Sequence, residues 1–150
     1  MKTMAMRREV QSQAGRSATA PAAHATSAAI LNTGVLFAGG LLDARRVPDI
    51  QDSDLAGWKK ALQALHALRV GTVVPGHGPA SSSELIATVE RYLAQLESKV
   101  RTLVSSGASL LGVAEAGELP EYEGWDQYDV IHRRNASGAF LRFERELMFK

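Results

Sequence analysis

The 150-residue sequence contains no cysteine. That excludes disulfides, thiolate metal sites and a cysteine nucleophile. It is poor in aromatics, at 6% of residues. It has no apolar run near the roughly 20 residues that a spanning helix requires. Nor does it carry a charge excess, since the formal net charge is only +1. No strong field therefore recruits nucleic acid or an anionic membrane, and neither is expected as a partner. Histidine is scarce too, limited to His24, His66, His77 and His132.

What remains is an ordinary globular composition, 45% hydrophobic and 22% charged, at a length suited to one domain with a real core. The first 33 residues stand apart. They are rich in Ala, Ser and Thr, and they hold Lys2, Arg7, Arg8 and Arg16 against the single acid Glu9. This stretch lacks the apolar core of a secretory signal and reads as a disordered or unrelated tail. An Arg- and Ser-rich leader is the second reading. Residues 34–150 form the expected domain.

Order is expected from Gly34. GVLFA (34–38) reads as a short buried strand ended by Gly39 and Gly40. After a loop containing Pro48, Ser53 or Asp54 can cap a helix over 54–68. Leu55, Trp58, Ala61, Leu62, Leu65 and Leu68 place an apolar stripe on that helix, with His66 at its margin. Gly71 stops it, and TVV (72–74) reads as a second strand. A strand–helix–strand unit predicts parallel neighbours. Ser81 and Glu84 fit a capping box at the start of a long helix. Its stripe is Leu85, Val89, Tyr92, Leu93, Leu96, Val100 and Leu103, and Gly107 is its stop. Residues 108–124 are weakly patterned. Asn135 is expected to cap a last helix with Ala139, Phe140, Phe143 and Leu147 on one face.

The segment VVPGHGP (73–79) carries the chemistry. It is expected as the loop leaving the second strand, at the carboxyl end where α/β proteins place their sites. Gly76 and Gly78 let the main chain approach something closely, and Pro75 and Pro79 restrict the loop. Those four residues shape it around His77. Locally, His77 reads equally as a preorganised ligand and as a turn histidine bonded to a carbonyl.

The order of segments now matters. A strand ending in VLFAGG is followed by a loop with RVPD, the helix DLAGWKKALQAL, VVPGHGP and a helix starting at SSSEL. Over residues 34–147, through the closing HRRNASGAFLRFE, this resembles the C-terminal half of the metallo-β-lactamase-fold hydrolases. The spacing is most like the quinoprotein relay system zinc metallohydrolases. The resemblance implies an α/β fold, half of an αββα sandwich. It also implies zinc as cofactor, with His77 as a metal ligand, and hydrolysis of a small-molecule substrate.

Two departures from that pattern follow. The family's His-x-His-x-Asp-His motif has no counterpart among the four histidines. Where the family ends its strand on Gly-Asp, with the carboxylate bridging the metals, this chain has Gly39-Gly40, and Gly40 offers no ligand. Asp43 lies three residues on and would need a different chain path. His132 is expected to make structural hydrogen bonds, and Asp43, Asp49, Asp52 and Asp54 to form a solvated cluster at a helix start. A catalytic zinc needs about three protein ligands. The expectation is a truncated, catalytically incomplete hydrolase that does not hold zinc tightly, with no catalytic residue assigned. Half a sandwich leaves one sheet face uncovered, so the alternative is a non-catalytic binding module. It would pair with a second copy or with a complementary N-terminal half. A third reading makes Asp43 and His77 an acid–base pair. The expected compartment is cytoplasmic, with periplasmic as the second choice.

Overall fold

Residues 8–11, 27–30 and 34–149 are described by the computed structural model of the chain. The class is the expected mixed α/β. Among the described residues, four strands form one sheet in the order β1 (Arg8–Gln11), β2 (Ser27–Ile30), β3 (Val35–Asp43) and β4 (Thr72–His77). The same residues form four α-helices, α1 (Leu55–His66) between β3 and β4, and then α2 (Glu84–Ser105), α3 (Leu110–Ala116) and α4 (Arg133–Met148). Of the expected tail, two four-residue segments are strands, with β1 antiparallel to β2 and β2 antiparallel to β3. The rest of that tail lies outside the described residues.

The chain divides into two compact units. The first holds the described residues up to Ala44 together with Asp54–Glu90; the second holds Arg45–Ser53 and the residues from Arg91 on.

In the first unit, β3 and β4 are parallel neighbours joined through α1, as a strand–helix–strand pattern predicts. Leu36, Ala38 and Val73 are fully buried on one side of the pair, while Phe37, directly opposite Val74, is 45% exposed. Asp54 caps α1, its carboxylate accepting from the Ala56 amide at 3.1 Å. The apolar stripe turns inward at Leu62 and Leu65. Trp58 is tied to the sheet as its indole Nε1 donates to the Leu41 carbonyl at 3.0 Å.

Both strands run farther than expected. Gly39 and Gly40 do not end β3, and β4 does not stop at Val74. Between the pairs Gly39↔Pro75 and Asp43↔His77, β3 advances four residues and β4 two. This irregularity sits where Pro75 has no N–H to give the ladder. Expected as loop, Pro75, Gly76 and His77 belong to the strand. The capping box is also corrected. Ser81 pairs with Val73 through the backbone, and its hydroxyl donates to Pro79 O. Ser82 accepts from the Glu84 amide at 3.3 Å instead.

In the second unit, the expected stripe of α2 is buried from Tyr92 through Val100. Its end is a Schellman motif. Gly107 takes φ +72°, the Ala108 amide donates to Leu103 O, and the Gly107 amide donates to Val104 O. The weakly patterned stretch contains α3, capped by Ser109, and a short 3₁₀ turn, Pro120–Tyr122. A π-helical turn, Tyr128–His132, leads directly into α4. Asn135 is therefore inside the helix and fully buried rather than its cap. Ala139, Phe140 and Phe143 are buried on the α4 face as expected, while Leu147 is exposed.

Candidate functional site

The extended β3 brings Asp43 to His77. The two residues are register partners, and His77 Nδ1 lies 2.9 Å from Asp43 Oδ1. The Ala44 amide closes the ladder on His77 O at 2.8 Å. The irregular β3 carries Asp43 to the back of the ring, not to the place of a shared metal ligand. Asp43 is 9% exposed, whereas the His77 side chain is 58% exposed. With Nδ1 turned to a carboxylate, Nε2 is the nitrogen presented outward. A carboxylate behind an imidazole fixes its tautomer and orientation, as metal binding and proton transfer both require.

The two glycines flanking His77 touch neighbouring backbone. A Cβ at Gly76 would lie 2.6 Å from Gly39 O. One at Gly78, where φ is +89°, would run into the Ala44 carbonyl. The close approach expected of Gly76 and Gly78 is therefore to β3 and its exit. Pro75 is half-buried in β4, and Pro79 lies exposed beyond it. Gly40 is exposed, with no side chain to contribute.

The other expected residues lie elsewhere. His66 is a surface residue that meets Glu90 at 2.8 Å. Of the aspartates, Asp54 caps α1 and Asp49 accepts from the Gln51 amide and pairs with Arg134. His132 is fully buried in the second unit with both ring nitrogens engaged. Its Nδ1 lies 3.0 Å from Tyr92 Oη and its Nε2 lies 3.1 Å from Gly117 O. His24 is outside the described residues. Among the described residues no group of three or more His, Cys, Asp or Glu side chains could hold a metal ion.

Sequence reasoning missed the centre of the second unit. Tyr92, His132 and Asn135 form one buried hydrogen-bonded chain, and Tyr128 stacks on His132 at 4.6 Å with a 9° tilt. Burial pushes the Tyr92 and Tyr128 phenols above their ordinary range and pulls the His132 imidazole below its own. The available signal was four aromatics and a histidine between positions 92 and 132 in a chain otherwise poor in aromatics.

No protein-family model matches the chain, and no curated protein does. Among solved structures, a metallo-β-lactamase from Pontibacter korlensis is 28% identical with a TM-score of 0.43, covering 47% of this chain and 35% of its own. VMB-1 is 20% identical, with the same TM-score and coverage. The chain thus spans about a third of the length of these structures.

Proposed function

We propose that residues 34–147 are the C-terminal half of a metallo-β-lactamase-type hydrolase domain, catalytically incomplete as it stands. One observation carries this reading. An imidazole at the carboxyl end of a parallel strand, His77, is backed by a carboxylate at 2.9 Å and walled by glycines that admit no Cβ. A metal-ligating histidine is typically held in this way. The segment order around PGHGP assigns the class, and its spacing favours the quinoprotein relay branch.

The described residues do not fit a catalytic zinc. Such a site needs about three protein ligands and an open position. Here His77 stands alone, and Asp43 is committed to the back of the same ring. Small-molecule hydrolysis requires the missing ligands from elsewhere. A second reading, a pairing module, is favoured by the half-exposed Phe37 beside Val74 on the sheet. Its partner would be a second copy or an N-terminal half. The setting proposed is cytoplasmic; among the described residues no helix is long and apolar enough to cross a membrane.

One preparation tests both readings, by metal analysis and light scattering of the purified chain. The incomplete-hydrolase reading expects no stoichiometric zinc. Two zinc ions per chain with turnover of thioester or lactam probes would overturn it, and a well-folded monomer would remove the pairing module.

A further inference from the structure

The second unit holds a buried polar cluster whose side-chain atoms are all partnered. Asn135, inside α4, accepts from the Ile50 amide at 3.1 Å and donates through Nδ2 to Pro48 O at 2.7 Å and Tyr92 Oη at 3.1 Å. Tyr92 meets His132 Nδ1, and His132 Nε2 meets Gly117 O. A carbonyl only accepts, so Nε2 carries the proton and Nδ1 is the bare nitrogen. The Tyr92 hydroxyl must then donate to Nδ1 while its oxygen accepts from Asn135. Every proton in this chain has one direction: Asn135 to Tyr92, Tyr92 to His132, His132 to Gly117. Among the described residues no buried side-chain polar atom lacks a partner.

A second proton on His132 cannot enter without breaking the chain. Nδ1–H would face the Tyr92 oxygen, which already receives Asn135, and the hydroxyl proton would lose its only acceptor. We propose that His132 is an acid-sensitive latch that holds residues 48–50 onto α4 through Tyr92 and Asn135. Protonation reverses the Tyr92 hydroxyl and frees Asn135 from it, loosening the Pro48 and Ile50 contacts. The far end of the segment stays tied, because Arg142 donates to the carbonyls of Ile50, Gln51 and Ser53. Residues 51–53 then serve as the hinge.

The groups facing the ring are Tyr92 from α2, Tyr128 stacked from the π turn, and Glu118 beyond α3. Glu118 favours the charged imidazole, but it also meets Arg133 at 3.4 Å, and burial outweighs it. The folded imidazole therefore binds a proton less readily than its ordinary value of 6.5. As pH falls, the unfolded chain is protonated first. Stability is complete above about 6.5 and declines below it until the folded ring titrates as well.

Hydrogen exchange at the Ile50 amide, corrected for its intrinsic rate, tests the latch between about pH 5 and 8. Protection is expected to fall about tenfold per pH unit once below the ordinary histidine range, as for one proton taken up on opening. In His132→Gln the fall should vanish. Constant protection in the wild-type chain, or an equal fall in His132→Gln, would overturn the latch. Tyr92→Phe keeps the histidine and cuts the connection, so Ile50 protection should no longer follow the ring titration seen by NMR. If it still follows, the proposal fails, and this arm stands even where His132→Gln does not fold.

Discussion

Two histidines divide this molecule. His77 stands in the first unit at the end of a strand, with one nitrogen anchored and the other presented to water. His132 lies in the second unit with no exposed surface and both nitrogens bonded. The carboxylate at His77 orients a ring while leaving it free to bind. The phenol and carbonyl at His132 use up the ring's capacity, so it specifies packing and makes folding sensitive to acid. A histidine is available for chemistry when a partner takes one nitrogen only.

The contrast is broken most severely at Asn135. Asn135→Ala leaves the Ile50 amide, the Pro48 carbonyl and the Tyr92 hydroxyl without their partner in a buried site. The expected loss is about 3 kcal/mol by denaturant unfolding, since several groups retain their desolvation cost at once.

A smaller effect separates two glycines of similar φ. Gly78→Ala meets the Ala44 carbonyl as well as an unfavourable φ, and about 2–3 kcal/mol is expected. Gly107→Ala has φ +72° but nothing within 4 Å of the added carbon, so only the left-handed cost of about 1 kcal/mol remains. Equal losses would show that the loop around His77 yields.

The smallest change is expected at His77. His77→Ala removes a half-exposed ring from Asp43 and should cost about 1 kcal/mol or less. Thermal unfolding of both forms with and without zinc sharpens the comparison. An added metal should shift neither, and a zinc-dependent rise confined to the wild type would restore a ligand role.

The helices were readable because their information is local. The stripes of α1 and α2 recur every three to four residues, and the stop at Gly107 follows backbone conformation, whereas α1 ends at His66, ahead of the expected stop at Gly71. Asn135 misled for the same reason. A short polar residue near a helix start ordinarily caps it, but a π turn begins the helical path earlier and carries Asn135 inside. Ser81 fits a capping box by spacing, yet its backbone is claimed by Val73, a pairing invisible in the local sequence. Gly39 and Gly40 resemble a strand end, yet β3 runs on past them in register with β4, with Gly39 opposite Pro75 and Asp43 opposite His77.

By itself the sequence determined the α/β class, the helix faces and the singular setting of His77, since each follows from periodicity or from the backbone freedom of glycine and proline. Only the tertiary structure decided that Asp43 stands behind His77 and that Asn135, Tyr92 and His132 form one buried chain. Those pairs are separated by 34 to 43 residues, and which groups meet is set by strand register and helix packing.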